Sequence, residues 1–168
     1  SNCRHDTARD LGLQDHQVRI ICNYMGGGFG NKNQNQDADL VAATLSKQAG
    51  APVMLEFSRR DDWLGVHGRW PTVQYYKIGA KNDGTVTAFR FDQQDDYGAF
   101  LRAPMPGPLY RMHGILTGAY DIKNLAVTNR VVMTNKCPGA MVRGFGGPQM
   151  YYAIERIMQK VAIELDMD

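Results

Sequence analysis

The chain has 168 residues, enough for one compact domain or two small lobes with a real core. Its hydrophobic share of 43% and charged share of 21% argue against global disorder. A formal net charge of +2, without a clustered basic run, gives no support for a nucleic-acid surface or an anionic membrane partner.

Cys3, Cys22 and Cys137 are odd in number and far apart, with no C-x-x-C pair. That argues against a zinc ribbon or a cysteine-ligated iron–sulfur cluster within the chain, and for a reducing, cytoplasmic setting. No apolar run reaches the roughly 18 residues of a membrane helix, and no signal peptide is visible. The chain opens on Ser1 and stops inside a helical pattern, so a piece of a longer protein is expected.

Residues 4–13 read as a short helix closed by Gly12. Val18, Ile20 and Cys22 alternate with polar neighbours, the pattern of a half-buried strand. Met25-Gly26-Gly27-Gly28-Phe29-Gly30-Asn31-Lys32 follows, too rich in glycine for a regular element. After a polar stretch, Ala38, Val41, Ala42, Leu45 and Ala49 share one helical face. Asp37 is the expected N-cap, with Gly50 and Pro52 ending the helix. Residues 53–57 read as a strand.

The strongest hairpin signal joins 73–81 to 85–91 through Asn82-Asp83-Gly84. Residues 98–116 carry many Gly and Pro and read as loop; 126–133 read as a strand. A second glycine-rich stretch, Cys137 to Gln149, leads into a helix with Tyr151, Ile154, Met158, Val161 and Leu165 in one stripe. The mixture lacks strict β-α-β alternation, so the class is α+β. The chain reads as one partial domain over 1–168, with a possible division into two lobes near 98–125. Strand, glycine loop and helix recur at 18–49 and 126–165, a faint internal echo.

The glycine loops carry the chemistry. Each lets backbone N–H groups approach an anionic ligand without a Cβ in the way, and each precedes a helix start that adds partial positive charge. Lys32 is followed by Asn33 rather than Ser or Thr, which removes the Walker A reading. Gly26-x-Gly28 lacks the third glycine at the dinucleotide spacing. Two tight turns without a ligand remain the bland alternative. His67, Arg69 and Trp70 line either an entrance or, more simply, a solvated turn. His5, His16 and His113 are scattered. Asp92, Asp95 and Asp96 fit a strand-end charge cluster better than a cation site.

Met25 to Lys32 resembles the G-G-G-F-G-G/A-K segment of the large subunit of molybdenum hydroxylases, the xanthine dehydrogenase and aldehyde oxidase family. Met141-Val142-Arg143-Gly144-Phe145-Gly146-Gly147-Pro148-Gln149 resembles its A-F-R-G-F-G-G-P-Q segment. Gly50-Ala51-Pro52-Val53, Ser58-Arg59-Arg60-Asp61-Asp62, Gly68-Arg69-Trp70-Pro71, Gly84-Thr85-Val86 and Gly98-Ala99-Phe100 resemble further family segments in the same order, from about residue 8 to 165.

The resemblance implies repeated α+β lobes that grip a molybdenum–molybdopterin cofactor. It makes Gly27, Gly28, Phe29, Gly30, Arg143 and Gly144 cofactor-binding residues, and Phe145, Arg111 and Asn33 substrate-binding ones. Asn33 stands where purine-oxidising members carry a glutamate, so xanthine is not the expected substrate, and Val142 stands where the family has an aromatic, which changes the pocket wall. Cys137 lies too far from Arg143 to match the cysteine loop of the carbon-monoxide-oxidising branch. The family's catalytic glutamate has no counterpart here, and Glu155 and Glu164 read as solvated, so no catalytic residue is expected in this chain. The whole enzyme would hydroxylate an aromatic heterocycle or aldehyde with water as oxygen source. Its partners would be the rest of the large subunit, a small-molecule substrate, and 2Fe–2S and FAD domains or subunits. The alternative is a non-catalytic binding or assembly module on the same fold.

Overall fold

The computed structural model describes residues 2–32, 36–102, 114–144 and 146–167. The chain divides into two compact units, Ser1–Gly68 and Arg69–Asp168, and the stretch 98–125 lies within the second.

The first unit is helical. Helix α1 spans Asn2–Leu11, and Gly12 leaves it in the left-handed conformation at φ 67°. Helix α2 spans Asp37–Ala49. Its cap is Gln36, whose N–H donates to the Asp39 carboxylate at 2.9 Å, so Asp37 is the first helical residue rather than the cap. Gly50 ends the helix at φ 62°. Lys47 Nζ donates to the Leu11 carbonyl at 2.8 Å and ties α2 to the end of α1.

Helix α3, Arg59–Gly65, is absent from the sequence reading, although its signal was present. Ser58-x-x-Asp61 is a capping box: the Ser58 hydroxyl accepts from Asp61 N–H at 3.2 Å, and the Asp61 carboxylate accepts from Ser58 N–H at 3.0 Å. The same Ser58 donors hold the Asp61 carboxyl below the usual carboxylate range.

The strands expected at 18–22 and 53–57 do not form. Alternation specifies a strand only where a neighbour supplies a hydrogen-bond ladder and a face to bury. The described residues of this unit contain no strand, and Ile20, Ile21, Met54 and Leu55 stay exposed. The echo between 18–49 and 126–165 therefore reduces to a glycine loop followed by a helix.

The second unit is a sheet backed by one long helix. Strands β1, Thr72–Ala80, and β2, Val86–Asp96, pair antiparallel, and β3, Leu125–Val132, adds parallel to β2. The hairpin turns as Asn82-Asp83-Gly84 predict: Lys81 N–H donates to Thr85 O at 2.9 Å, and Gly84 sits at φ 83°. Helix α4 spans Gly147–Glu164.

Phe89 and Phe91 from β2 pack with Leu116 and with Met150, Ala153 and Ile154 of α4; Tyr76, Ile78, Ile157 and Met158 flank them. The buried face of α4 keeps Ile154 and Met158 of the expected stripe but turns from Tyr151 toward Met150 and Ala153. Met150, Ala153, Ile154, Ile157 and Met158 follow the i, i+3, i+4, i+7, i+8 rhythm, and Tyr151 is exposed. Both phases of the helix carry apolar residues, and the sheet buries the one that holds Met150 and Ala153 beside Ile154.

Candidate functional site: two glycine-rich loops

In the first unit, Gly27, Phe29 and Gly30 all take positive φ, at 119°, 51° and 105°. Glycine adopts such angles without cost, whereas phenylalanine is strained there by about 1–3 kcal/mol. Asn31 N–H donates to the Gly28 carbonyl at 2.8 Å and closes the turn. A Cβ on Gly27 would stand 2.8 Å from Phe29 Cε2, so the exposed ring would have to swing aside, and the φ of 119° itself favours glycine at 27. A Cβ on Gly28 would lie 3.3 Å from Lys32 Cβ, so any side chain there presses on Lys32.

The loop borders an open cavity of about 660 Å³ in the same unit, lined among others by Gly28, Asn31, Lys32, Arg59, Trp63 and His67. Arg59 also bridges to Asp62 at 3.1 Å. The Asn31 side-chain oxygen is buried without a hydrogen-bond partner among the described residues. His67 is buried, which overturns its reading as part of a solvated turn; Trp70 in the second unit is buried as well.

In the second unit, Gly144 at φ 101° and Gly146 at φ 85° form the second loop, and Gly146 caps α4. Pro148 sits in the first turn of α4, where its missing N–H costs nothing. A Cβ on Gly144 would meet Pro148 Cδ at 2.7 Å. The approach to the loop is equally tight. A Cβ on Gly139 would stand 2.7 Å from Trp70 Cβ, and one on Gly98 would stand 2.5 Å from the Cys137 carbonyl.

Arg69 reaches this loop. Its Nη1 donates to Gln149 Oε1 at 3.2 Å, and its Nη2 donates to the Arg143 carbonyl. Behind it runs a buried polar chain. Gln74 Nε2 donates to the Gln149 carbonyl at 3.1 Å and to Gln93 Oε1 at 3.0 Å. Gln93 Nε2 and Trp70 Nε1 both donate to Asp95 Oδ1, at 2.6 and 2.8 Å.

Trp70 packs on Tyr97 with ring centroids 5.1 Å apart. The Tyr97 hydroxyl is buried without a hydrogen-bond partner among the described residues. Burial and the nearby Asp95 charge push its phenol from 10.0 up to about 12. The folded chain therefore keeps a proton that the unfolded chain releases, so this contribution is full below pH 10.0 and is lost as pH rises toward about 12. Tyr97→Phe should leave stability at neutral pH within about 1 kcal/mol, since an unsatisfied hydroxyl is removed. It should also flatten the alkaline fall. Urea titrations at neutral and alkaline pH check both, and an unchanged alkaline slope would rule out Tyr97 as its source.

The expected site residues fall as follows. Gly27, Gly28, Phe29 and Gly30 share the first loop, and Arg143 and Gly144 the second. Asn33, Arg111 and Phe145 lie outside the described residues. Asp92, Asp95 and Asp96 do not gather. Asp92 pairs with Arg90 at 3.0 Å, Asp96 with Lys136 at 2.6 Å, and Asp95 points into the core. Among the described residues no group of three potential metal ligands forms, and no helix is long and apolar enough to cross a membrane. Glu155 is exposed and accepts from the Tyr120 hydroxyl at 2.9 Å, which raises that phenol. Sequence reasoning missed Arg69 and Gln149 as a pair. Each stood inside a family-like segment, but nothing in the sequence joins positions 80 residues apart.

The molybdopterin cofactor-binding domain family matches residues 1–168. Rat xanthine dehydrogenase/oxidase is 34% identical over 160 residues, covering 93% of this chain and 12% of that protein. The solved aldehyde oxidoreductase from Desulfovibrio gigas superposes with a TM-score of 0.83 at 32% identity, covering 98% of this chain and 18% of that one. The CO dehydrogenase from Oligotropha carboxidovorans gives 0.86 at 29% identity, covering 98% and 21%. The chain belongs to the molybdopterin cofactor-binding domain family of the molybdenum hydroxylases. It spans less than a fifth of the length of the curated relatives named first, 17% of a probable hypoxanthine oxidase of Escherichia coli among them.

Proposed function

We propose that this chain supplies two loop walls for the molybdenum–molybdopterin cofactor of a hydroxylase that oxidises an aromatic heterocycle or an aldehyde. The observation that carries this is Phe29, an exposed aromatic held in the left-handed region between Gly28 and Gly30. Strain of this kind persists where a backbone shape serves a ligand. The surrounding residues suit the group. Lys32 and His67 offer donors to an anionic pterin phosphate, Asp39 and Asp62 in the same lining offset part of the positive charge, and Asn31 offers an unpaired acceptor to pterin N–H groups.

When bound, the cofactor supplies the oxidising centre that accepts two electrons from the substrate carbon while water provides the oxygen. The chain's own part is holding and excluding. The Gly27–Gly30 backbone presents N–H and carbonyl groups without side-chain bulk, and Arg143 and Gly144 do the same on the second loop. Phe145 and Arg111 orient the substrate, and Asn33, a neutral amide, lacks the proton-relaying carboxylate that xanthine would need. The proton-abstracting base lies elsewhere in the parent protein. The remaining partners are the rest of the large subunit and the 2Fe–2S and FAD domains or subunits that remove electrons.

In the parent protein, Gly28→Val should lower molybdenum and pterin content several-fold, because the added branches displace Lys32 from the cavity wall. Phe145→Ala should keep the cofactor but weaken discrimination among aromatic substrates. It removes a stacking face worth about 0.5–1.5 kcal/mol, roughly a 2- to 13-fold effect on selectivity. Metal analysis and kcat/KM ratios read these outcomes. Full cofactor content in Gly28→Val would count against the first loop as a wall. Molybdenum-free wild-type protein would favour the non-catalytic module instead.

A further inference from the structure

We propose that Arg69 is a positioning residue that fixes the second glycine loop in its cofactor-facing shape; this rests on the reading that the loop is a cofactor wall. Arg69 opens the second unit, 74 residues before its first partner and 80 before its second. Its guanidinium divides between two acceptors that bracket the loop, the Arg143 carbonyl on one side and Gln149 Oε1 on the other. Between these anchors stand Gly144 and Gly146, both in the left-handed region, together with the first turn of α4. A glycine-rich turn has many accessible backbone states, and two fixed points at its ends remove most of them.

The anchor is itself held. Gln149 is fastened through its carbonyl to Gln74, and Gln74 through Gln93 to the buried carboxylate of Asp95. Trp70, the neighbour of Arg69, binds that same carboxylate and lies against Gly139 at the start of the loop. The loop is thereby tied to β1 through Gln74 and to β2 through Gln93, which stands opposite it, and Asp95. Among the described residues Arg69 forms no ion pair, and partial burial lowers its pKa. Its charge is therefore not cancelled by a carboxylate, and it adds positive potential at a loop read as facing an anionic group. Lysine cannot reproduce the arrangement, because one ammonium at the end of a flexible stem does not span two acceptors in a planar fork.

The test uses the full-length parent protein with Arg69→Ala and Arg69→Lys. Limited trypsin digestion reports on the loop itself, because the Arg143–Gly144 bond is a cleavage site within it. Arg69→Ala should speed cleavage at that bond at least about tenfold while cleavage at the other Lys and Arg sites shared with the wild type and the thermal midpoint change little. It should also lower molybdenum and pterin content several-fold, with Arg69→Lys recovering part of both. An unchanged rate at Arg143–Gly144 overturns the proposal. Faster cleavage with undiminished cofactor overturns the positioning role toward the cofactor and leaves only a structural contact. A wild-type parent without molybdenum overturns the underlying reading, and the cofactor half of this proposal with it.

Discussion

Gly98→Val is expected to destabilise the second unit by about 3–5 kcal/mol, the sum of overpacking and the strain of a left-handed branched residue. Gly98 sits at φ 79°, and its missing Cβ leaves room for backbone: the Cys137 carbonyl would lie 2.5 Å away and Pro138 Cα 2.6 Å away. Flexible side chains can move aside, but these atoms cannot. Both are held by hydrogen bonds around the same point. Thr134 N–H donates to Gly98 O at 3.0 Å, Ala99 N–H to Lys136 O at 3.0 Å, and Gly139 N–H to Tyr97 O at 2.9 Å. For a unit of roughly 100 residues the loss corresponds to a fall in Tm of at least about 12 °C. Differential scanning calorimetry checks it. A shift of only a degree or two would mean that the 98–99 and 137–139 segments separate easily in solution.

Phe91→Ala should cost about 3–5 kcal/mol, because it empties a closed site. Phe91 is fully buried on the central strand, 6.1 Å from the Phe89 ring, and packs in the cluster that holds Met150, Ala153 and Ile154 of α4. Tyr151→Ala provides the contrast. Tyr151 belongs to the stripe expected from sequence, but it is exposed, so its loss should change stability by no more than about 0.5 kcal/mol. Urea midpoints of the two variants read the difference. Equal losses would restore the stripe that the sequence suggests and contradict the packing described here.

These cases show where the sequence was legible. The hairpin was readable because Asn82-Asp83-Gly84 is local turn chemistry between two alternating runs. Helices α1, α2 and α4 were readable from spacing, and the end of α2 from Gly50. The phase of α4 was not readable, since Tyr151, Met150 and Ala153 all fit an apolar face until the sheet chooses among them. The strands at 18–22 and 53–57 failed for a related reason: alternation is necessary for a strand, but pairing is what makes one. Helix α3 is too short and too polar to show an apolar period, although its capping box is written in Ser58 and Asp61.

At the site, the glycine loops were evident in sequence and the positive φ angles follow from their composition. Phe29 in the left-handed region was not evident, because a residue type does not reveal its backbone angle. Asp95 was misgrouped with Asp92 and Asp96. Strand alternation alone sends Asp95 to the Phe89 and Phe91 face and its two neighbours to the other, which the charge pattern had obscured. The Arg69–Gln149 link depends on tertiary contact and leaves no local trace.

The two loops, one in each unit, are proposed as cofactor walls. The most direct measurement is molybdenum and pterin content of the full-length parent protein, purified as wild type and with Gly28→Val and Arg69→Ala separately. The expected result is stoichiometric cofactor in the wild type and a several-fold loss in each variant, one from each unit. Full occupancy in both variants, or none in the wild type, would contradict it.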